Sequence, residues 1–206
     1  MTAIAIIPAR GGSTRIPGKN WKDFHGKPII QYSIETAIRS GLFAQVVVST
    51  DHPDIAEASM RAGAMVVWRS VALSQDQVGT QAVASCVLDQ FKDWPKYACC
   101  IYPTAPLMKT EDLHRGFHLL KQDEAKHNYA MAVGPAPLRD AGQWYWGTAE
   151  AFKNRRELIS PRTIMVPIPE ERVCDINTPD DWERAEMMYA TPAAPAGSII
   201  WKEGII

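Results

Sequence analysis

Arg10, Arg15 and Lys19 set three cationic side chains within ten residues, in the run Pro8-Ala9-Arg10-Gly11-Gly12-Ser13-Thr14-Arg15-Ile16-Pro17-Gly18-Lys19-Asn20. Neutral ligands need no such cluster, and Gly11-Gly12 lets the backbone approach a ligand and turn its amides inward. The chemistry this suggests is the gripping of a triphosphate. Spacing excludes two other phosphate loops, since neither G-x-x-x-x-G-K-[ST] nor G-x-G-x-x-G occurs here. A solvated basic turn is the competing reading. Position argues against it: Thr2 to Ile7 is apolar and isoleucine-rich, as a strand covered on both faces is. The loop therefore leaves the carboxyl end of a buried strand, where the crevices of α/β sheets open.

The order Pro-Ala-Arg-Gly-Gly-Ser, then Ile16-Pro17, then Lys19-Asn20, resembles the opening motif of the cytidylyltransferases that activate nonulosonic and related 2-keto-3-deoxy sugar acids. Their usual form is Arg-Gly-Gly-Ser-Lys-Gly/Arg-Ile-Pro-x-Lys-Asn. Thr14 stands where that family has a phosphate-contacting lysine, and Arg15 is the neighbour able to compensate. Further segments extend the resemblance over roughly residues 3 to 190. Val48-Ser49-Thr50-Asp51 matches the end of the second strand, with Asp51 read mainly as the cap of the next helix. Arg69 and Leu73 to Thr80 match the arm that reads the nucleotide; alone, Thr80 reads as an ordinary helix cap, yet a hydroxyl with main-chain groups suits cytosine's amine and carbonyl. Tyr102-Pro103-Thr104-Ala105-Pro106-Leu107 resembles the Gln-Pro-Thr-Ser-Pro-Leu of sialic acid activating enzymes, with Tyr102 replacing a glutamine beside the sugar. Asp140-Ala141-Gly142-Gln143-Trp144-Tyr145-Trp146-Gly147 looks like the Asp-Ala-Gly-Gln-x-Tyr-Trp-Gly of pseudaminic acid cytidylyltransferases. Aromatic crowding alone would signal core packing.

The resemblance implies transfer of CMP from CTP to a nonulosonic acid, pseudaminic acid first, with pyrophosphate leaving. It assigns the nucleotide to Ala9, Arg10, Gly11, Gly12, Ser13, Arg15, Lys19, Asn20, Arg69 and Thr80, and the sugar to Tyr102, Thr104, Gln143 and Tyr145. Arg10, Lys19 and Asp175 are the catalytic set. Asp175-Ile176-Asn177-Thr178 is similar to the family's Asp-Ile-Asp-Thr metal motif, whose alternate residues share a divalent ion, here Mg²⁺ on Asp175 and Asn177. An amide oxygen can still ligate but adds no charge. An Asx turn ahead of a helix is the bland alternative. No residue qualifies clearly as a general base; metal activation of the hydroxyl is the default, with Asp175 as the candidate proton acceptor. Sialic acid and 3-deoxy-octulosonate synthetases remain open as alternatives, as does a non-catalytic nucleotide-binding protein. The family's longer excursion after the strand near Tyr129 to Val133 supplies a dimer arm, implying a homodimer, but only Gly134 to Ala141 fills that stretch here.

The elements that must position these residues alternate. Pro28 stands in the first turn of a helix with Ile30, Ile34, Ala37 and Ile38 on one face, closed by Gly41. Gln45 to Ser49 is a strand, Pro53 to Ala62 a helix stopped by Gly63, and Met65 to Trp68 a strand. Gly79 to Phe91 is a helix and Tyr97 to Tyr102 a buried strand. Thr110 caps a helix to about Leu120, and Tyr129 to Val133 and Thr163 to Val166 are strands, the second antiparallel. Thr178-Pro179-Asp180-Asp181 opens the last helix as a capping box. The expectation is an α/β protein: a three-layer Rossmann-like fold of the nucleotide-diphospho-sugar transferase kind, with a mostly parallel twisted sheet, one domain over 1–190 and an extended tail over 191–206. In that tail Ile199, Ile200 and Trp201 call for a docking surface.

Composition agrees with a small anionic partner. The chain has 206 residues, enough for one full core, and a net charge of -1, which gives no general case for nucleic acid or membrane. No basic leader precedes a long apolar stretch and no apolar run approaches a membrane span, so a cytoplasmic enzyme is expected. Cys86, Cys99, Cys100 and Cys174 lack metal-ligand spacing and read as core thiols, and His114 and His118 as a surface pair.

Overall fold

In a computed structural model, residues 3–75, 77–93, 95–135 and 137–191 are described. Thr2 and the tail residues Ile199, Ile200 and Trp201 lie outside them. Ala3–Pro8 forms β1, buried throughout. Its alternation divides the molecule: Ala3, Ala5 and Ile7 face one helical layer, Ile4 and Ile6 the other. The hairpin of β2 (Asp23–Phe24) and β3 (Lys27–Pro28) follows, then α1 (Ile29–Ser40), β4 (Gln45–Thr50), α2 (Pro53–Arg61) and β5 (Met65–Trp68). Next come α3 (Thr80–Leu88), β6 (Tyr97–Ile101), α4 (Thr110–Gln122), β7 (Tyr129–Val133) and β8 (Asp140–Thr148). The described chain closes with α5 (Ala149–Lys153), β9 (Thr163–Pro167) and α6 (Pro179–Ala190).

Seven strands form one sheet in the order β5-β4-β1-β6-β8-β7-β9. All neighbours are parallel except β8, which runs against both β6 and β7. Helices α1, α2 and α4 cover the Ala5 face and α3 and α5 the Ile6 face, giving the three layers. A third apolar cluster joins Phe24 and Tyr32 to Ile176, Trp182 and Ala185, seating α6 against the hairpin.

Local signals explain most boundaries. Gly41 ends α1 at φ 66°, where a side chain would be strained, and Thr178 with Asp181 forms the expected capping box on α6. Four expectations need correction. Pro28 is the N-cap of α1, outside its first turn, and Ile38, one step round from Ala37, turns 46% of its surface to solvent over Gly63. Thr110 is the first residue of α4, with Lys109 at the cap. The strand Thr163–Pro167 is parallel to β7. The reversal falls on β8, where Trp144 and Trp146 face the α4 layer and Tyr145 the α3 layer, so burial on both faces erased the period-2 signal. Cys99, Cys100 and Cys174 are buried, whereas Cys86 on α3 is half-buried. Among the described residues no helix is long and apolar enough to cross a membrane.

Candidate active site

Because β8 is antiparallel, its first residues lie at the same sheet edge as the carboxyl ends of β1, β4 and β6. A cleft of about 330 Å³ opens there, walled by the loop after β1, the residue after β5, the start of α3, the segment after β6, the start of β8 and the 175–177 segment. Eleven of the residues assigned to the site from sequence line it: Arg10, Ser13, Arg15, Lys19, Asn20 and Arg69 on the cationic side, with Thr80, Tyr102, Thr104, Asp175 and Asn177.

The cationic wall is held by specific contacts. Lys19 Nζ donates to the Ile176 carbonyl at 2.6 Å; burial lowers its pKa, with nearby Asp175 opposing that and Arg15 and Arg10 adding to it. Arg69 donates to the Ser49 carbonyl at 3.2 Å, and its Nε is buried without a partner among the described residues. Burial likewise lowers the Arg69 pKa. A cation kept partly desolvated beside other cations gains most from an anion entering the cleft. Asn20 donates to the Arg10 carbonyl at 2.8 Å and keeps its Oδ1 buried and unpartnered.

The glycine pair behaves differently from expectation. The Gly11 amide donates to Asp51 Oδ1 at 2.8 Å, so it is turned away from a ligand. Asp51 therefore pins the loop, and α2 is capped instead by His52, whose Nδ1 accepts from the Asp54 amide. Burial pushes the Asp51 carboxyl up, but hydrogen bonds led by that from Gly11 outweigh it and leave the pKa lowered. Glycine at position 11 is required by space, not by that hydrogen bond: a Cβ there would lie 2.6 Å from the His52 ring, which is itself stacked on Trp21 at 4.2 Å. Ala9 is fully buried beneath the loop and Gly12 is exposed on it.

The opposite wall is built on β8. Tyr102 donates its amide to the Gln143 carbonyl and its hydroxyl to Asp140 Oδ2, both at 2.8 Å, while Asp140 Oδ1 accepts the Gly142 amide at 2.8 Å. Burial raises the Asp140 pKa and Asp175 adds to the rise, against the lowering by its two donors. Burial, then Asp140, raises that of the Tyr102 phenol. Gln143 and Tyr145 do not reach the cleft. Gln143 lies behind it and donates to the Arg172 carbonyl at 2.7 Å; Tyr145, fully buried, shares a 2.8 Å hydrogen bond with the Thr80 hydroxyl. Thr80 is the first residue of α3, after a Gly79 cap, so its hydroxyl serves the cleft wall and not the helix end. Sequence reasoning left Asp140 without a role. The Asp-x-Gly order, with Gly142 at φ 68°, was the available signal for a carboxylate fixed by its own turn.

Asp175 and Asn177 are brought together, with the Asn177 amide nitrogen donating to Asp175 Oδ2 at 2.6 Å and its oxygen accepting from Arg15 at 3.2 Å. Asp175 lies tight against β8: a Cβ on Gly142 would sit 2.5 Å from its Cα.

The profile of the Cytidylyltransferase family matches residues 4–162. The chain is 32% identical to the pseudaminic acid cytidylyltransferase of Campylobacter jejuni, covering 92% of this chain and 97% of that one. Among solved structures, a CMP:2-keto-3-deoxy-manno-octonic acid synthetase complexed with CTP superposes with a TM-score of 0.72 at 19% identity, covering 92% of this chain and 99% of the other. A Mycobacterium tuberculosis protein solved with manganese gives 0.63 at 14% identity, over 91% and 99% of the two chains. The two structural likenesses bear on the fold.

Proposed function

Because the chain belongs to the cytidylyltransferase family, we propose that it transfers CMP from CTP to the anomeric hydroxyl of a nonulosonic acid, pseudaminic acid, and releases pyrophosphate. The observation that carries this reading is the division of one cleft into a wall of Arg10, Arg15, Lys19 and Arg69 and a facing wall of Tyr102, Thr104 and Asp140. The first suits a nucleoside triphosphate, the second a polyhydroxylated acceptor. Arg10, Arg15 and Lys19 hold the phosphates, the loop being kept in place by Asp51. Arg69 and the Thr80 hydroxyl, with the unpartnered Asn20 Oδ1, meet the nucleoside. Catalysis is then mainly positioning and neutralisation of charge.

The residues fit a divalent ion in one respect: Asp175 offers a hard anionic oxygen at the cleft, beside the cations that would hold the phosphates. Asn177 fits as the group that orients Asp175, since its own oxygen is engaged by Arg15. Mg²⁺, when bound, supplies positive charge that screens the triphosphate from the nucleophile. A homodimer is the assembly the family resemblance favours, and the cytoplasm is its expected setting. The test is pyrophosphate release with CTP, UTP and GTP against pseudaminic, sialic and 3-deoxy-octulosonic acids. Turnover with CTP and pseudaminic acid is expected; turnover only with another acid would change the substrate, and none with any acid would reduce the protein to a nucleotide binder.

A further inference from the structure

Among the described residues, Asp140 is a carboxylate in the cleft that no salt bridge joins to a cation. Its chain neighbour Arg139 pairs with Glu170, and Arg10, Arg15, Lys19 and Arg69 belong to the other wall, where Lys19 and Arg15 engage the 176–177 segment. Among the described residues no ion pair reaches Asp140; its two contacts are the neutral donors Gly142 and Tyr102, one on each oxygen. Those bonds fix both the plane and the direction of the carboxylate, and each oxygen retains a lone pair for a further donor. A half-buried anion left unpaired, yet oriented by two neutral donors, is costly to a fold unless something arrives to use it. Acceptor hydroxyls are what that wall receives.

The geometry points to Asp140 as the group that holds the attacking hydroxyl of the sugar acid and takes its proton, with Tyr102 as its positioning residue. This rests on the cytidylyl transfer proposed above. As the hydroxyl oxygen bonds to the α-phosphorus its proton passes to Asp140, the bond from that phosphorus to the bridging oxygen breaks, and pyrophosphate leaves with the electron pair. Burial strengthens the carboxylate as a base, the direction a proton acceptor needs. Asp175 serves less well, because it is the carboxylate offered to the divalent ion and Lys19 beside it draws it toward the phosphate side.

The experiment compares wild type with Asp140→Asn, which preserves shape and the Gly142 contact. Calorimetric affinity for CTP should stay within about two-fold, while kcat for pyrophosphate release falls about a hundred-fold or more, the usual contribution of general base catalysis. Tyr102→Phe keeps the carboxylate but loosens it, so a smaller fall in kcat at unchanged CTP affinity is expected; if Asp140→Asn does not fold, this variant carries the test. An unchanged kcat in either folded variant, beside an active wild type, overturns the role of Asp140 and leaves the transferase reading standing. Recovery of Asp140→Asn at raised Mg²⁺ would make Asp140 a metal ligand and also overturn it. A wild type inactive with every sugar acid removes both readings together.

Discussion

At the scale of single residues, charge and geometry make separable demands. A charge-assisted phosphate contact contributes about 1.5–3 kcal/mol, so Arg10→Ala should weaken CTP binding by more than about ten-fold without unfolding the protein, as calorimetry would record. Asp175→Ala should abolish turnover, whereas Asn177→Asp should keep it and lower the Mg²⁺ concentration for half-maximal rate, because a second carboxylate replaces a neutral amide. Initial rates across a Mg²⁺ series distinguish the two. Asp51 makes the pH prediction. Its folded pKa is lowered, so its stabilisation is present in full above the ordinary aspartate value and disappears as pH falls through the lowered one. The melting temperature of Asp51→Asn should therefore lie below wild type at neutral pH and meet it in strong acid. The cationic cluster was legible in sequence because charge type and spacing are written there, while Asp175 was picked out only through its resemblance to a family motif. The partner of a backbone amide is not, which is why Asp51 was read as a helix cap when its carboxylate belongs to Gly11.

At the scale of elements, the site depends on β8 more than on any helix. Gly142 lets this strand pass against Asp175 at a distance that no Cβ permits, and does so at positive φ. Gly142→Ala should destabilise the fold by more than about 2 kcal/mol in denaturant titration, combining left-handed strain with a backbone clash, and should reduce turnover in whatever folds. Helices α1, α2 and α6 were readable from capping and periodicity, since Gly41, Gly63 and Thr178 act locally. Strand β8 was not. Its aromatic side chains pack on both faces, and its direction is set by pairing with β6 and β7, a long-range property with no local signature. Gln143 and Tyr145 were misplaced for the same reason: alternation on a strand covered twice sends neither of them to the sheet edge.

At the scale of the whole molecule, the cleft gathers walls from both halves of the sheet and from the segment leading into α6, whose cluster is otherwise separate from the two main cores. Occupation by CTP should tie these parts together. Ligand at about a hundred times its Kd adds about 2.7 kcal/mol to stability, so CTP should raise the melting temperature and slow amide exchange in α6 as well as around β1. Protection confined to β1 would contradict a shared cleft. The three-layer sheet was legible in the alternation of elements, whereas the convergence of its two halves required the reversed strand. That reversed strand begins at a closed hairpin, where the Gly134 amide meets the Arg139 carbonyl at 2.8 Å one residue before Asp140. The sheet is thus sealed below this point, and whatever is spliced between the two residues costs only loop closure, which grows slowly with length. The hairpin is accordingly a graft point that ends one residue before Asp140 in the cleft lining: chain added there would enter beside the acceptor side without breaking the strand pairing beneath it, a way for sugar preference to diverge independently of chemistry.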